Sequence, residues 1–166
     1  MDRLHYIIET MDDIETLRRI LKQSRVIAMV GLSADWVRPS YFAAKYMIEH
    51  GYRVIPVNPN YSEILGQRCY QSLRDVPEKI DLVDVFRKTQ DVGPIADDAI
   101  AIGAKVLWQQ LGVRDEVAAA RARAAGLEAV IDRCVKIEHG RLFGGLNWVG
   151  VNTRVISAKR PRWLAY

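Results

Sequence analysis

Cysteine and histidine are scarce in this chain, and the few present stand apart. Cys69 and Cys134 form no C-x-x-C pair, which excludes a disulfide framework and a zinc knuckle. His5, His50 and His139 are scattered too, so no metal-ligand constellation can be read from spacing. Long apolar runs are also missing: nothing approaches the roughly 18 residues that a membrane helix needs. The opening Met1-Asp2-Arg3-Leu4-His5 has no apolar stretch or small-residue cleavage site behind it, so a cytoplasmic protein is expected. Neither G-x-x-x-x-G-K-[ST] nor G-x-S-x-G occurs, which removes P-loop NTPases and α/β-hydrolases.

Acid is the last absence. From His139 to Tyr166 there is none, against five bases: Arg141, Arg154, Lys159, Arg160 and Arg162. Setting these aside leaves 19 Lys and Arg facing 20 Asp and Glu, so the net charge of +4 belongs to the tail. A basic tail carrying Trp148 and Trp163 suits RNA, anionic lipid or an acidic partner. The plainer account is an extension packed on the domain or on a neighbouring subunit, with no clear nucleic-acid signal.

What is present is alternation. Thr10 to Asp13 resembles a capping box, and Ile14, Leu17 and Leu21 follow at helical spacing, giving a helix to about Ser24. Val26 to Val30 is an apolar run halted by Gly31, the pattern of a strand covered on both faces. Pro39 opens a helix that Gly51 closes. Further strands are expected at 52–57, 80–86, 105–108 and 127–131, with helices over 89–103 and 114–125. This is the period of right-handed β-α-β units and predicts an α/β, Rossmann-like, doubly wound fold with a five-stranded parallel sheet. Residues 1–142 form the one domain, and 143–166 a basic extension in which 151–158 is a weak strand candidate.

Ligands of such sheets sit beyond the carboxyl ends of the strands. The stretch from Gly31 to Ser40 joins a strand to a helix N-terminus, whose free amides and dipole favour an anion. Ser33 and Ser40 offer hydroxyls and Arg38 a guanidinium for phosphate. The loop lacks the second and third glycines of G-x-G-x-x-G. The second strand ends Val57-Asn58-Pro59, with no acid for an NAD ribose.

The segments V-G-L-S (30–33), R-P-S-Y (38–41), G-Y-R-V-I-P-V-N-P (51–59), L-G (65–66), D-L-V-D-V-F-R (81–87), G-A-K-V-L-W-Q-Q-L-G (103–112), A-G-L (125–127) and D-R-C (132–134) together resemble the stand-alone coenzyme A-binding domain family. Its members are similar to the nucleotide-binding half of the succinyl-coenzyme A synthetase α subunit. The resemblance covers about Ile14 to Leu142. It implies strand order 3-2-1-4-5 and coenzyme A or an acyl-coenzyme A along the carboxyl edge. It places Gly31, Leu32, Ser33, Arg38, Pro39 and Ser40 around the phosphates, and Val57, Asn58 and Pro59 by the adenosine. Phe86 and Arg87 would line the wall, and Gln110 with Gly112 would border the pantetheine. The synthetases carry a ligand-contacting lysine after the strand-two proline; here Asn60-Tyr61 stands there, leaving Arg38 or Arg53 to substitute.

The synthetases' phosphohistidine domain has no counterpart in the matched segments, and His139 reads as structural, so a non-catalytic binding, carrier or sensor protein is expected. Asp132 and Arg133 are expected to pair with each other. Cys134, just past the fifth strand, is a candidate contact for the coenzyme thiol. Alternatives are an NAD(P)-binding oxidoreductase, or an acyl-coenzyme A enzyme subunit whose nucleophile comes from a partner. A homodimer or protein partner is expected by analogy only.

Overall fold

A computed structural model describes residues 14–144. The strand candidate at 151–158 and both tail tryptophans lie outside the described residues. In chain order the elements are α1 (residues 14–23), β1 (Val26–Val30), α2 (Pro39–Glu49), β2 (Arg53–Val57), β3 (Glu63–Ile64), β4 (Gln67–Arg68), β5 (Leu82–Val85), α3 (Val92–Ala101), β6 (Val106–Gln109), α4 (Glu116–Ala124), β7 (Glu128–Val130) and α5 (Val135–Phe143).

Five parallel strands form the main sheet, and side chains alternate between its faces. Ile27, Met29, Leu82 and Trp108 point to a core closed by Leu17 and Leu21 of α1, Ala43 and Met47 of α2, and Val135 and Leu142 of α5. Ala28, Val83, Val85 and Leu107 point to the opposite core, under Ala96 and Ala99 of α3 and Ala118 and Ala122 of α4. Two covered faces explain why the strands read as unbroken apolar runs. Trp108 is core, with its indole N–H donating to the Arg133 carbonyl at 2.7 Å.

The strand order is β2-β1-β5-β6-β7, which is 2-1-3-4-5 counting the five parallel strands along the chain. The order 3-2-1-4-5 is therefore corrected: the third strand pairs with β1, with Ala28 opposite Val83, and β2 is an edge. Pro56 gives the reason. The Pro56 carbonyl accepts from the Tyr70 amide at 3.0 Å and the Asn58 amide donates to the Tyr70 carbonyl at 2.8 Å, so residue 56 faces outward. Proline has no N–H to give a sixth neighbour there, and such a residue belongs on an edge. The short β3–β4 hairpin follows β2 and was not foreseen.

Boundaries shift for local reasons. The Thr89–Gly103 helix divides into a 3-10 turn, Thr89–Asp91, and α3, because Pro94 cannot donate to the preceding turn. Asp115 starts α4 by accepting the Ala118 amide at 2.9 Å.

Candidate functional site

β1 leads to β2 on one side and β5 lies on the other, so the direction of winding reverses between β1 and β5. The crevice outside their carboxyl ends is where ligands of open α/β sheets bind. A cleft of about 720 Å³ opens there. It is lined by Gly31, Ser33, Arg38, Pro39 and Ser40 from the β1–α2 loop, Phe86 and Arg87 after β5, Gln110 after β6, and Cys134 before α5. A smaller depression of about 200 Å³ adjoins it, sharing Gly31 and Arg87, and takes in Val57, Asn58 and Pro59. The structure thus brings together twelve of the fourteen residues singled out in the sequence.

The other two lie aside. Leu32 is fully buried and contributes its carbonyl, which accepts from Asn58 Nδ2 at 3.0 Å. Gly112 turns the chain at φ +84° and its amide donates to Asp132 Oδ1 at 2.6 Å. Arg53 is not at the site either: its guanidinium pairs with Glu78 at 2.6 Å, at the opposite end of β2. Asp132 and Arg133 do not pair with each other. Asp132 meets Arg114 at 3.3 Å and Arg133 meets Glu138 at 3.2 Å. His139 is buried, with Nδ1 3.0 Å from the Tyr46 hydroxyl, and burial pushes its pKa down.

Two features make the β1–α2 loop fit an anion. No side chain caps α2, and no acid stands in its first turn, so the positive end of the helix dipole faces the loop uncompensated. Ser40 Oγ, buried, accepts the Ser33 amide at 3.2 Å, and Ser33 Oγ accepts the Asp35 amide at 3.1 Å, which fixes the loop. Gly31 has φ +87°, and a Cβ there would overlap the Phe86 carbonyl and come within 2.7 Å of Arg87 Cδ. That glycine lets β1 and β5 close to form the floor.

Charge follows position. Arg38, Arg87 and Lys88 line the cleft with one acid, Asp91, which Arg87 reaches at 3.4 Å. Leu111, Val113 and Ile137 make its far end apolar. Sequence reasoning missed these, along with Lys88 and Asp91: Leu111, Val113 and Lys88 lie between elements, where no periodic signal marks a residue, and Asp91 and Ile137 sit in short elements whose facing partner is distant in sequence. It also missed Asp84, buried in β5, which the acid inside D-L-V-D-V could have announced. Its Oδ1 accepts from Gln110 Nε2 at 2.6 Å, and its other oxygen has no partner among the described residues. Burial pushes this carboxyl up to about 8.

A family model described as "CoA binding domain" matches residues 25–140. The chain belongs to the CoA-binding domain family. This CoA-binding domain is 36% identical over 123 residues to the uncharacterised protein YneT of Bacillus subtilis, covering 74% of the chain and 91% of the relative. A hypothetical protein of Pyrococcus horikoshii has a solved structure 44% identical to it, with a TM-score of 0.77; the match covers 79% of this chain and 92% of that one. An ADP-forming acetate–CoA ligase of Methanocaldococcus jannaschii is 31% identical over 64 residues, or 39% of the chain. The match spans only 9% of that ligase's length. Among the described residues no helix is long and apolar enough to cross a membrane.

Proposed function

We propose that this protein binds coenzyme A or an acyl-coenzyme A non-covalently in the cleft outside β1 and β5, as a carrier or sensor rather than a catalyst. The observation that carries this reading is the union, in one crevice, of an uncapped helix mouth, three bases and an apolar far end. The diphosphate would sit at the positive N-terminus of α2 together with Ser33, Arg38 and Ser40. The adenosine would lie against Val57, Asn58 and Pro59, and the pantetheine would pass Phe86, Arg87 and Gln110. Arg87, which borders both depressions, would sit between the two ends of the ligand. Family membership supports the ligand class. In the same proposal the protein is cytoplasmic, residues 1–142 are the binding domain, and 143–166 are an extension for a second copy or another protein.

NAD(P) fits less well. Asn58, where a dinucleotide site would hold an acid, spends its amide on Leu32 and Asn60 instead. The second reading, a subunit of an acyl-coenzyme A enzyme with a partner's nucleophile, is favoured by the local match to an acetate–CoA ligase.

Calorimetric titration with coenzyme A, NAD and ATP in parallel tests the proposal. Heat is expected with coenzyme A, stronger than with either competitor. Ser33→Glu, which brings negative charge to the anion site, is expected to abolish that heat. Unchanged affinity in this variant would mean the phosphates bind elsewhere. An acyl-coenzyme A turned over only when a second protein is added would favour the subunit reading.

A further inference from the structure

The far end of the cleft holds side chains that non-covalent binding leaves unused. Strand exits stand in the order of the sheet: Val57 to Pro59 after β2, Gly31 after β1, Phe86 after β5, Gln110 after β6, Cys134 after β7. Four inter-strand steps separate the first from the last, about 19 Å at the usual spacing. A ligand with its nucleotide over the β2 exit and its arm along this row ends at Cys134. That residue lines the cleft beside Gln110 and Ile137 and stands at the N-cap position of α5, its side chain making no capping hydrogen bond.

Asp84 lies on the same sheet face. Its register neighbour is Trp108, and the Trp108 indole donates to the Arg133 carbonyl, so residues 133 and 134 pass over that face. Asp84 is wholly buried, with one oxygen tied to Gln110 and the other without a partner among the described residues. Its charge is near enough to Cys134 to raise the thiol's pKa. An idle buried carboxyl oxygen costs stability, and here the carboxyl lies beneath the cleft, joined to it through Gln110, which lines it.

We propose that Cys134 is a thiol-exchange site that captures coenzyme A from its disulfide as a mixed disulfide, with Asp84 taking the thiol proton. The inference rests on the reading of the cleft as a coenzyme A site. Above about pH 8, where Asp84 is ionised, the Cys134 S–H bond breaks and its proton passes to the Asp84 oxygen that has no partner among the described residues. Sγ then bonds to one sulfur of coenzyme A disulfide while the S–S bond of that ligand breaks. The second coenzyme A leaves as a thiolate and takes the proton from Asp84, restoring the carboxylate. Cys134 is oxidised and the departing sulfur reduced, so the ligand itself is the oxidant.

Reactivity is selective for a physical reason. Burial pushes the Cys134 thiol up; the Ile137 and Lys136 amides oppose this, and Asp84 adds to it. Such a thiol is a poor nucleophile toward disulfides in free solution. It reacts when binding holds the disulfide beside it and a base removes its proton. Cys69 is an internal control, buried with its thiol donating to the Asn58 carbonyl at 3.3 Å.

The reduced full-length protein is treated, above about pH 8 so that Asp84 is ionised, separately with coenzyme A disulfide and glutathione disulfide, and intact mass and peptide mapping follow the adducts. Calorimetry with coenzyme A under a reductant is run alongside. One coenzyme A is expected on Cys134 and none on Cys69, forming about 100-fold faster than the glutathione adduct. Asp84→Asn is expected to slow it by about 100-fold. Heat with coenzyme A but no adduct on Cys134, or equal rates for the two disulfides, overturns the inference and leaves the binding reading standing. No heat overturns the binding reading and this inference with it. An unaltered rate in Asp84→Asn removes Asp84 from the step.

Discussion

Two aspartates three residues apart, Asp81 and Asp84, live under opposite conditions at the two ends of β5. Asp81, at the amino edge, accepts the Arg25 and Val26 amides at 2.9 and 3.0 Å and meets Lys105 Nζ at 2.8 Å. Burial alone would raise its pKa, but those bonds outweigh it and hold the carboxyl below its ordinary range. Asp84 is deeper, has no cation partner among the described residues, and is pushed up to about 8 by burial. The amino edge is therefore built to stay charged and fasten strands. The carboxyl edge keeps an unsatisfied group, and functional edges are where such costs are tolerated.

The largest expected break in this comparison is at the amino edge. Asp81→Ala strands two backbone amides and the Lys105 ammonium and should cost on the order of 4 kcal/mol, read by urea unfolding. Coenzyme A affinity, measured under folding conditions, should not move, since Asp81 is at the opposite end of β5 from the cleft. A loss of affinity matching the loss of stability would erase the distinction between the edges.

Next comes pH. The lowered Asp81 pKa gives stability that is present above the unfolded value, near 4, and lost as pH falls through the folded one. The raised Asp84 pKa works the other way: its contribution is intact below the unfolded value and drains away as pH climbs toward about 8. Asp84→Asn keeps an acceptor for Gln110 and removes the charge. It should therefore match the wild type near pH 4 and exceed it by on the order of 5 kcal/mol at pH 8. Parallel stability curves for the two proteins would refute the assignment. Smaller again, Gly31→Ala should cost about 2 kcal/mol, from a left-handed φ and overlap with the Phe86 carbonyl, and should weaken coenzyme A binding as well.

The same contrast explains what the sequence could say. Apolar runs such as Val26–Val30 and stops such as Gly31 are local, so strands, helices and the anion loop were legible. Strand order is non-local, and the borrowed order failed although Pro56 had already marked β2 as an edge. The wall of the cleft was half visible: Phe86 and Gln110 sit one residue past their strands, where position alone points to a site. Leu111 and Val113, in the β6–α4 connection, meet Ile137 of α5 only when two separate segments fold together. Asp84 was written plainly in a buried strand, but one acid among apolar residues reads as an exception until its neighbours are known.

The smallest effect tests the carboxyl edge alone. Arg87 borders both depressions, is half-exposed, and pairs only loosely with Asp91 at 3.4 Å. An exposed pair of this kind adds little to folding, so Arg87→Ala should leave the unfolding midpoint unchanged within error. A guanidinium facing phosphate or a polarised amide in a partly open cleft contributes about 1 kcal/mol, or roughly fivefold in Kd. The loss should shrink as salt is raised, because the contact is screened. A weakening that is indifferent to salt would point to lost packing against Gly31 rather than lost charge, and would recast Arg87 as part of the floor with Phe86.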